Sequence, residues 1–203
     1  MKLVFATNNK HKLEEVRQIL PPVYDILSLS DIGFNDEIEE TGDTLEANSL
    51  LKVRSVTDWL KAKGTDMPDG VFADDTGMEV AALGGAPGVH TARYAGEPAD
   101  DAANRRKLLA ELDKTGTYDR RACFRTVVTL ARNGKTEQVE GRVDGLIATE
   151  EHGTGGFGYD SLFIPEGGKR CFAELTPAEK NSISHRGRAM EKLRQLLSEK
   201  QTS

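Results

Sequence analysis

Apolar residues fall along this chain in two different periods. Lys2 to Ala6 is a short apolar run that reads as a buried strand, and Leu13, Val16, Ile19 and Leu20 then recur at helical spacing. The chain therefore opens as a strand, a polar loop T-N-N-K and a helix. A second helix is expected to start near Thr44, where Asp43 and Glu46 have the spacing of a capping box. On it Asn48 and Lys52, four residues apart, share one face. Val71 to Ala73 predicts another short strand, and Gly84, Gly85, Pro87 and Gly88 mark a loop. Ala102 to Leu112 has helical periodicity, with Glu97, Asp100 and Asp101 suited to its N-terminal end. Ala122 to Arg132, rich in Thr, Val and Phe, predicts a strand. Asn133-Gly134 is a hairpin turn signal, and Lys135 to Val143 is expected to return antiparallel. A glycine-rich loop, Gly153 to Asp160, precedes a strand over Ser161 to Ile164. Thr176, Pro177 and Glu179 form a capping box with proline at the first helical position, and a last helix carries Ala189, Leu193, Leu196 and Leu197. Mixed helices and strands with one antiparallel hairpin predict an α/β fold with a mixed sheet rather than a doubly wound parallel one.

Composition narrows the function classes. The chain has 203 residues, enough for one domain or one bilobed domain with a core, and 37% hydrophobic against 30% charged residues places it among soluble globular proteins. The net charge of −6 argues against broad phosphate neutralisation, so no nucleic-acid partner is expected, while a small anion held by a few local cations is compatible with it. Cys123 and Cys171 form no C-x-x-C pair, which argues against a disulfide framework or a zinc site and for a reducing compartment. The N-terminus lacks a signal-peptide run and no stretch has the length of a membrane helix, so no membrane association is expected.

Five stretches carry candidate chemistry. T-N-N-K-H-K, Thr7 to Lys12, places polar and cationic groups where a strand gives way to a helix, a position that attracts anions; it matches neither of the glycine-based phosphate loops. E-I-E-E-T-G, Glu37 to Gly42, sets carboxylates beside a loop, as hard oxygen ligands for Mg²⁺ or as a solvated acidic turn. In V-F-A-D-D-T-G, Val71 to Gly77, two adjacent acids follow an apolar run. If the strand persists that far, Asp74 and Asp75 point to opposite faces and have different jobs. Two close carboxylates raise each other's pKa, and a divalent cation relieves the repulsion. G-T-G-G-F-G-Y-D, Gly153 to Asp160, offers close backbone approach and either an aromatic to stack on a flat ring or one that anchors the loop to the core. Finally Lys180, His185, Arg186 and Arg188 cluster in an otherwise acidic protein, with Arg186 able to donate in a planar fork. Together these read as a nucleotide site.

The order A-T-N-N-K-H-K, E-E-T-G-D-T-L-E-A-N-S-L-L-K, A-D-D-T-G, G-G-A-P-G-V-H-T-A-R-Y-A-G, G-G-F-G-Y-D and S-H-R-G-R-A resembles the inosine triphosphate pyrophosphatase family, the non-canonical purine NTP pyrophosphatases, from Leu3 to about Leu197. The resemblance implies an elongated, two-lobed α/β domain over 1–203, with a long mixed β-sheet flanked by helices and a central active-site cleft. It also implies a cytoplasmic homodimer. The implied reaction is Mg²⁺-dependent hydrolysis of dITP, ITP and XTP to the nucleoside monophosphate and pyrophosphate, which clears deaminated purines from the nucleotide pool.

Matched position by position, the resemblance assigns Asp75 as proton acceptor and metal ligand and Glu40 as the second metal ligand. Thr7, Asn8, Asn9, Lys10, His11 and Lys12 would wrap the triphosphate, Lys52 would reach a phosphate, and Thr76 would touch the substrate. Phe157, Gly158, Tyr159, Asp160, Lys180, His185 and Arg186 would hold the base and the rest of the nucleotide. Asp74, Glu39 and Asn48 stand beside these as supporting groups, Asp74 as a neighbour or alternate partner of the metal. Thr76 replaces the commoner serine, Leu45 and Ser49 the usual Phe and Ala, and Ser161 a usual proline, a change expected to loosen the glycine-rich loop. Two rival readings are a Maf-like pyrophosphatase of other base preference, whose first loop usually reads S-x-S-P-R-R, and a nucleotide sensor without turnover.

Overall fold

The computed structural model describes residues 1–198; residues 199–203, included in the expected 1–203 domain, lie outside the described residues. In chain order the elements are β1 (Lys2–Phe5), α1 (Lys10–Ile19), β2 (Asp25–Leu27), α2 (Leu45–Lys63), β3 (Gly70–Val80), β4 (Pro87–Gly88), α3 (Asp101–Thr115), β5 (Arg121–Arg132), β6 (Lys135–Ile147), β7 (Phe163–Pro165), α4 (Pro177–Ile183) and α5 (His185–Ser198). The strand order is β2-β1-β3-β5-β6-β7, with β4 on β3. The sheet is mixed: β1 is parallel to both β2 and β3, whereas β4 pairs antiparallel with β3 and β7 with β6. The α/β fold with a helix-flanked mixed sheet is thus as expected.

By its internal contacts the chain divides into two units, one of Met1–Asp75, Thr126–Gly141 and the chain from Arg186 on, the other of Thr76–Arg125 and Arg142–His185. In the first unit the strands are buried on both faces, and their alternation sorts residues between two cores. Leu3, Phe5 and Phe72 pack with Val16 of α1, with Leu20 just past its end, and with Ala189, Met190, Leu193 and Leu197 of α5. Val4, Ala6, Val71 and Ala73 pack on the other face with Val53, Val56 and Leu60 of α2. The parallel register pairs Phe5 with Phe72, whose rings stack at 4.7 Å. The second unit has its own core, in which Met78, Val80, Phe124, Phe163 and Phe172 pack with Leu108 and Leu112 of α3.

Several element ends differ from the sequence expectation. The strand expected over Val71 to Ala73 runs on through both acids to Val80. The box expected from Asp43 and Glu46 does not form. Thr44 is the N-cap of α2, its hydroxyl accepting from Ala47 N, and Glu46 is then one position too early to reach back to the cap. Asp100 caps α3 and accepts from Ala103 N. The Thr176–Glu179 box forms with both reciprocal bonds, and proline stands in the first turn. Asn133 and Gly134 both take positive φ, 50° and 74°, as a two-residue hairpin turn requires. The strand expected over Ser161 to Ile164 begins only at Phe163, because Leu162 N and Phe163 N turn back onto Tyr159 O. Cys123 and Cys171 are free and buried, and burial pushes both thiols up to about 11.

Candidate active site

The two acids of β3 inherit the alternation that sorts its apolar residues. Asp74 shares the face of Phe72, towards α1 and α5; Asp75 shares the face of Val71 and Ala73, towards α2. Their partners differ accordingly.

Asp74, 1% exposed, accepts Lys12 Nζ on Oδ1 at 2.9 Å and Arg186 Nε on Oδ2 at 3.1 Å. Burial alone would raise its pKa, but Lys12 and Arg186 outweigh that and hold the carboxyl well below the usual range. Burial lowers the Lys12 pKa in spite of the Asp74 charge. Arg186 is further held by Glu15 of α1, whose Oε2 accepts Nη1 at 2.5 Å. The carboxylate kept as a neighbour or alternate partner of a metal therefore spends both oxygens on cations, and it fixes the first turn of α1 against the first turn of α5.

Asp75 faces α2. Lys52 Nζ donates to Asp75 Oδ1 at 3.0 Å, and Asn48 Nδ2 to Asp75 Oδ2 at 3.3 Å. The same ammonium lies 2.9 Å from Glu40 Oε1 and 3.0 Å from the main-chain oxygen of Asp74. Asn48 also accepts Gly42 N on Oδ1 at 2.7 Å, so it links the loop carrying Glu40 to Asp75. That loop must come close: a Cβ on Gly42 would lie 2.7 Å from both Asn48 Oδ1 and Ala47 Cβ. Burial raises the Asp75 pKa, the Glu40 charge adds to it, and together they outweigh the lowering by Lys52 and Lys12. Burial would lower the Lys52 pKa, but Asp75 and Glu40 together raise it. Glu39 is exposed, and Thr76, next along the strand, is half-buried.

Thr7 to Lys12 forms the entry to α1. Asn9 is its N-cap and accepts Lys12 N on Oδ1 at 3.1 Å, while Thr7 Oγ1 accepts Asn9 N. Asn8, Asn9, Lys10 and His11 are exposed, so the start of this ten-residue helix presents main-chain amides and cationic side chains together.

In the second unit, Lys180 of α4 donates to Asp160 Oδ2 at 2.6 Å with both side chains 6% exposed, and its ammonium lies 5.0 Å from the Phe157 ring centre. Phe157 N donates to the same oxygen. Tyr159 is a core residue whose hydroxyl donates to Thr91 O at 2.9 Å, so of the two roles open for an aromatic here it takes the anchoring one. Phe157, two residues earlier, is half-buried. The loop is tied on several sides. Gly158 N donates to Asp101 Oδ2, Arg105 Nη1 to Gly158 O, and Gly155 N to Ala173 O. The loosening expected from Ser161 is absent, since its hydroxyl donates to Glu151 and its carbonyl accepts His152 N. His185 is buried and stacks on Phe124 at 4.5 Å.

These residues fit a magnesium ion. Glu40 and Asp75 are hard oxygen donors from two different elements, and both reach one cation, the Lys52 ammonium. Among the described residues no group of three or more His, Cys, Asp or Glu gathers to hold a metal. A pair of carboxylates is a donor set that Mg²⁺ commonly takes, together with substrate phosphates and waters.

The sequence pattern of the Ham1 family matches residues 3–196. The chain belongs to the Ham1 family. It is an enzyme, a hydrolase of phosphoric anhydride bonds, as the names of its relatives have it. It is 50% identical to the dITP/XTP pyrophosphatase of Porphyromonas gingivalis over 196 residues, 97% of each chain. It is 46% identical to the protein of the same name in Bacillus subtilis over 196 residues, 96% of each chain. Among solved structures, a HAM1 protein from Coxiella burnetii superposes with a TM-score of 0.85 at 38% identity, covering 98% of this chain and 100% of that one. No helix among the described residues is long and apolar enough to cross a membrane.

Sequence reasoning missed Glu15. It stands three residues after Lys12 and so shares its helix face, a spacing that was open to reading. It also missed that Asn48 serves two partners, because the Gly42 amide enters only through the path of the loop.

Proposed function

We propose that this enzyme hydrolyses dITP, ITP and XTP, with Mg²⁺, to the nucleoside monophosphate and pyrophosphate, and so removes deaminated purines from the nucleotide pool. The observation that carries the reading is the meeting of Glu40 and Asp75 on one cation, the Lys52 ammonium, while Lys12 of α1 is held by the adjacent Asp74. The names of the relatives, dITP/XTP pyrophosphatase, point to the same substrates.

Glu40 and Asp75 would hold the ion, and Mg²⁺ when bound supplies charge neutralisation along the triphosphate. Asp75 takes the proton of the attacking water. Asn48 keeps one Asp75 oxygen turned towards α2 and holds the Glu40 loop beside it. Asn8 to Lys12 receive phosphate oxygens, Lys12 being set at the start of α1 by Asp74. Lys52 and Lys180 stabilise charge on the leaving pyrophosphate. Thr76 touches the substrate, and Phe157, Gly158, Asp160, His185 and Arg186 hold the base and the rest of the nucleotide, Arg186 by exchanging an acceptor, since Asp74 and Glu15 already take its Nε and Nη1. Arginine offers only donors, which suit the 6-oxo group of hypoxanthine and xanthine. A 6-amino group there would leave donor facing donor, a mismatch of about 1–3 kcal/mol. The working form in this reading is a cytoplasmic homodimer, which size-exclusion chromatography with light scattering checks.

The test is a panel of ITP, dITP, XTP, ATP and GTP with and without Mg²⁺, scored for monophosphate and pyrophosphate. Equal rates on ATP and ITP, or release of single orthophosphates, would overturn the proposal.

A further inference from the structure

Lys52 is assigned to a phosphate, yet its ammonium is already in use. A lysine ammonium has three N–H donors and no acceptor. Here three oxygens surround it: Glu40 Oε1 at 2.9 Å, Asp75 Oδ1 at 3.0 Å and the Asp74 carbonyl at 3.0 Å. Its side chain is 9% exposed. To donate to a phosphate it must let go of at least one of these acceptors. Two of the three are the oxygens that a divalent cation would take.

We propose that in the nucleotide-free protein the Lys52 ammonium is the placeholder for the divalent cation between Glu40 and Asp75, and that metal and triphosphate bind cooperatively because each helps to displace it. This rests on the reading of Glu40 and Asp75 as metal ligands. Without a cation the two carboxylates would face each other partly desolvated, and the ammonium offsets that repulsion. A metal ion arriving alone competes with a buried ammonium for the same oxygens and is repelled by it. A phosphate offers the ammonium a new acceptor and so frees the carboxylates. Linkage is reciprocal: whatever factor the triphosphate adds to metal affinity, the metal adds to triphosphate affinity. The geometry suits an exchange, since Lys52 is anchored on α2 while Glu40 comes from the preceding loop and Asp75 from β3. Asn48 still joins the Glu40 loop to Asp75 when the ammonium leaves.

The test uses Mn²⁺ as a spin-active probe of the hard-cation site in the full chain without nucleotide. Free Mn²⁺ is followed by electron paramagnetic resonance. Lys52→Met, which keeps the stem and removes the charge, is expected to tighten Mn²⁺ binding by about tenfold or more, within the usual span of coupling between sites. Lys52→Arg, which keeps the charge, should stay near the wild-type affinity. Folded Lys52→Met that binds Mn²⁺ no better than wild type overturns the inference. Should Lys52→Met not fold, the wild type decides. The Lys52 Cε and Nζ resonances, assigned by their loss in Lys52→Arg, should move along the Mg²⁺ saturation curve, and resonances unmoved at saturation overturn it. Glu40→Gln and Asp75→Asn separate the two layers. Mn²⁺ binding that survives both removes the metal assignment itself. Binding that both abolish, but that Lys52→Met fails to tighten, removes the placeholder alone.

Discussion

Arg186 donates its Nε to Asp74 Oδ2 at 3.1 Å, and both side chains are shut off from water. Lys12 occupies the other oxygen, so one buried carboxylate neutralises a cation from each of two helices. Asp74→Asn keeps the shape but leaves two desolvated cations short of an anion. Removing one partner of a buried pair costs about 3–5 kcal/mol. Urea unfolding of Asp74→Asn should show a loss of that size, and its turnover should fall less than that of Asp75→Asn. A variant as stable as wild type, or the reverse order of activities, would show that the roles of the two faces are exchanged.

Asp75 should behave in the opposite way. Its pKa is raised by burial beyond what Lys52 compensates, so the folded state binds its proton more tightly than the unfolded chain. For an acid shifted upwards, stability falls as pH rises from the unfolded value through the folded one, and the cost is fully present above that window. Asp75→Asn abolishes the cost along with the base. At neutral pH its thermal midpoint should equal or exceed that of wild type, while kcat drops by roughly 10²–10⁴. The gain in midpoint should fade as the pH is lowered through the carboxylate range. A variant both unstable and active would remove the assignment.

How much of this was legible in the sequence follows from which interactions are local. Period-two alternation required Asp74 and Asp75 to face different ways, and the strand carries that alternation unbroken from Val71 to Asp75. It could not name their partners: Lys12 is 62 residues from Asp74 and Arg186 is 112, distances that only the packing of α1 and α5 closes. Thr176 and Glu179 were readable as a cap because both bonds lie within four residues. The cap of α2 was read one residue early because Asp43 and Thr44 are both good caps in sequence, and only the path of the loop selects Thr44. Which aromatic of the glycine-rich loop anchors it was not legible, because an aromatic amid glycines looks the same whether it meets a ligand or the core, and Tyr159 proves to be the anchor. The three-residue strand β2 has too short a run to declare itself.

Gly42 tests whether Asn48 sets the spacing of the two acids. The glycine lacks a positive φ, so its need is for space: a Cβ would press on Asn48 Oδ1 and Ala47 Cβ at 2.7 Å. Gly42→Ala should push the Glu40 loop off the start of α2 and break the Gly42–Asn48 bond. The expected result is a higher Mg²⁺ concentration for half-maximal rate, by about tenfold, with a modest stability change of about 1 kcal/mol for one lost hydrogen bond. An unchanged Mg²⁺ requirement would mean that Glu40 does not depend on Asn48 for its position.

Glu179 gives a pH test outside the acidic pair. It completes the cap of α4, the helix that carries Lys180, by accepting Thr176 N at 2.7 Å, and it pairs with Arg170 at 2.9 Å. The Thr176 amide and then Arg170 hold its pKa down to about 2. For an acid shifted downwards, the stabilisation is complete above the unfolded value and is lost as pH falls through the folded one. Glu179→Gln should therefore be less stable than wild type by a constant amount at and above neutral pH. The gap should shrink between the ordinary glutamate range and about pH 2, because protonated Glu179 and glutamine then offer the cap the same neutral acceptor. Thermal unfolding of both proteins across that range measures it. A gap that holds constant into the acid would show that the cap, not the charge, carries the whole effect.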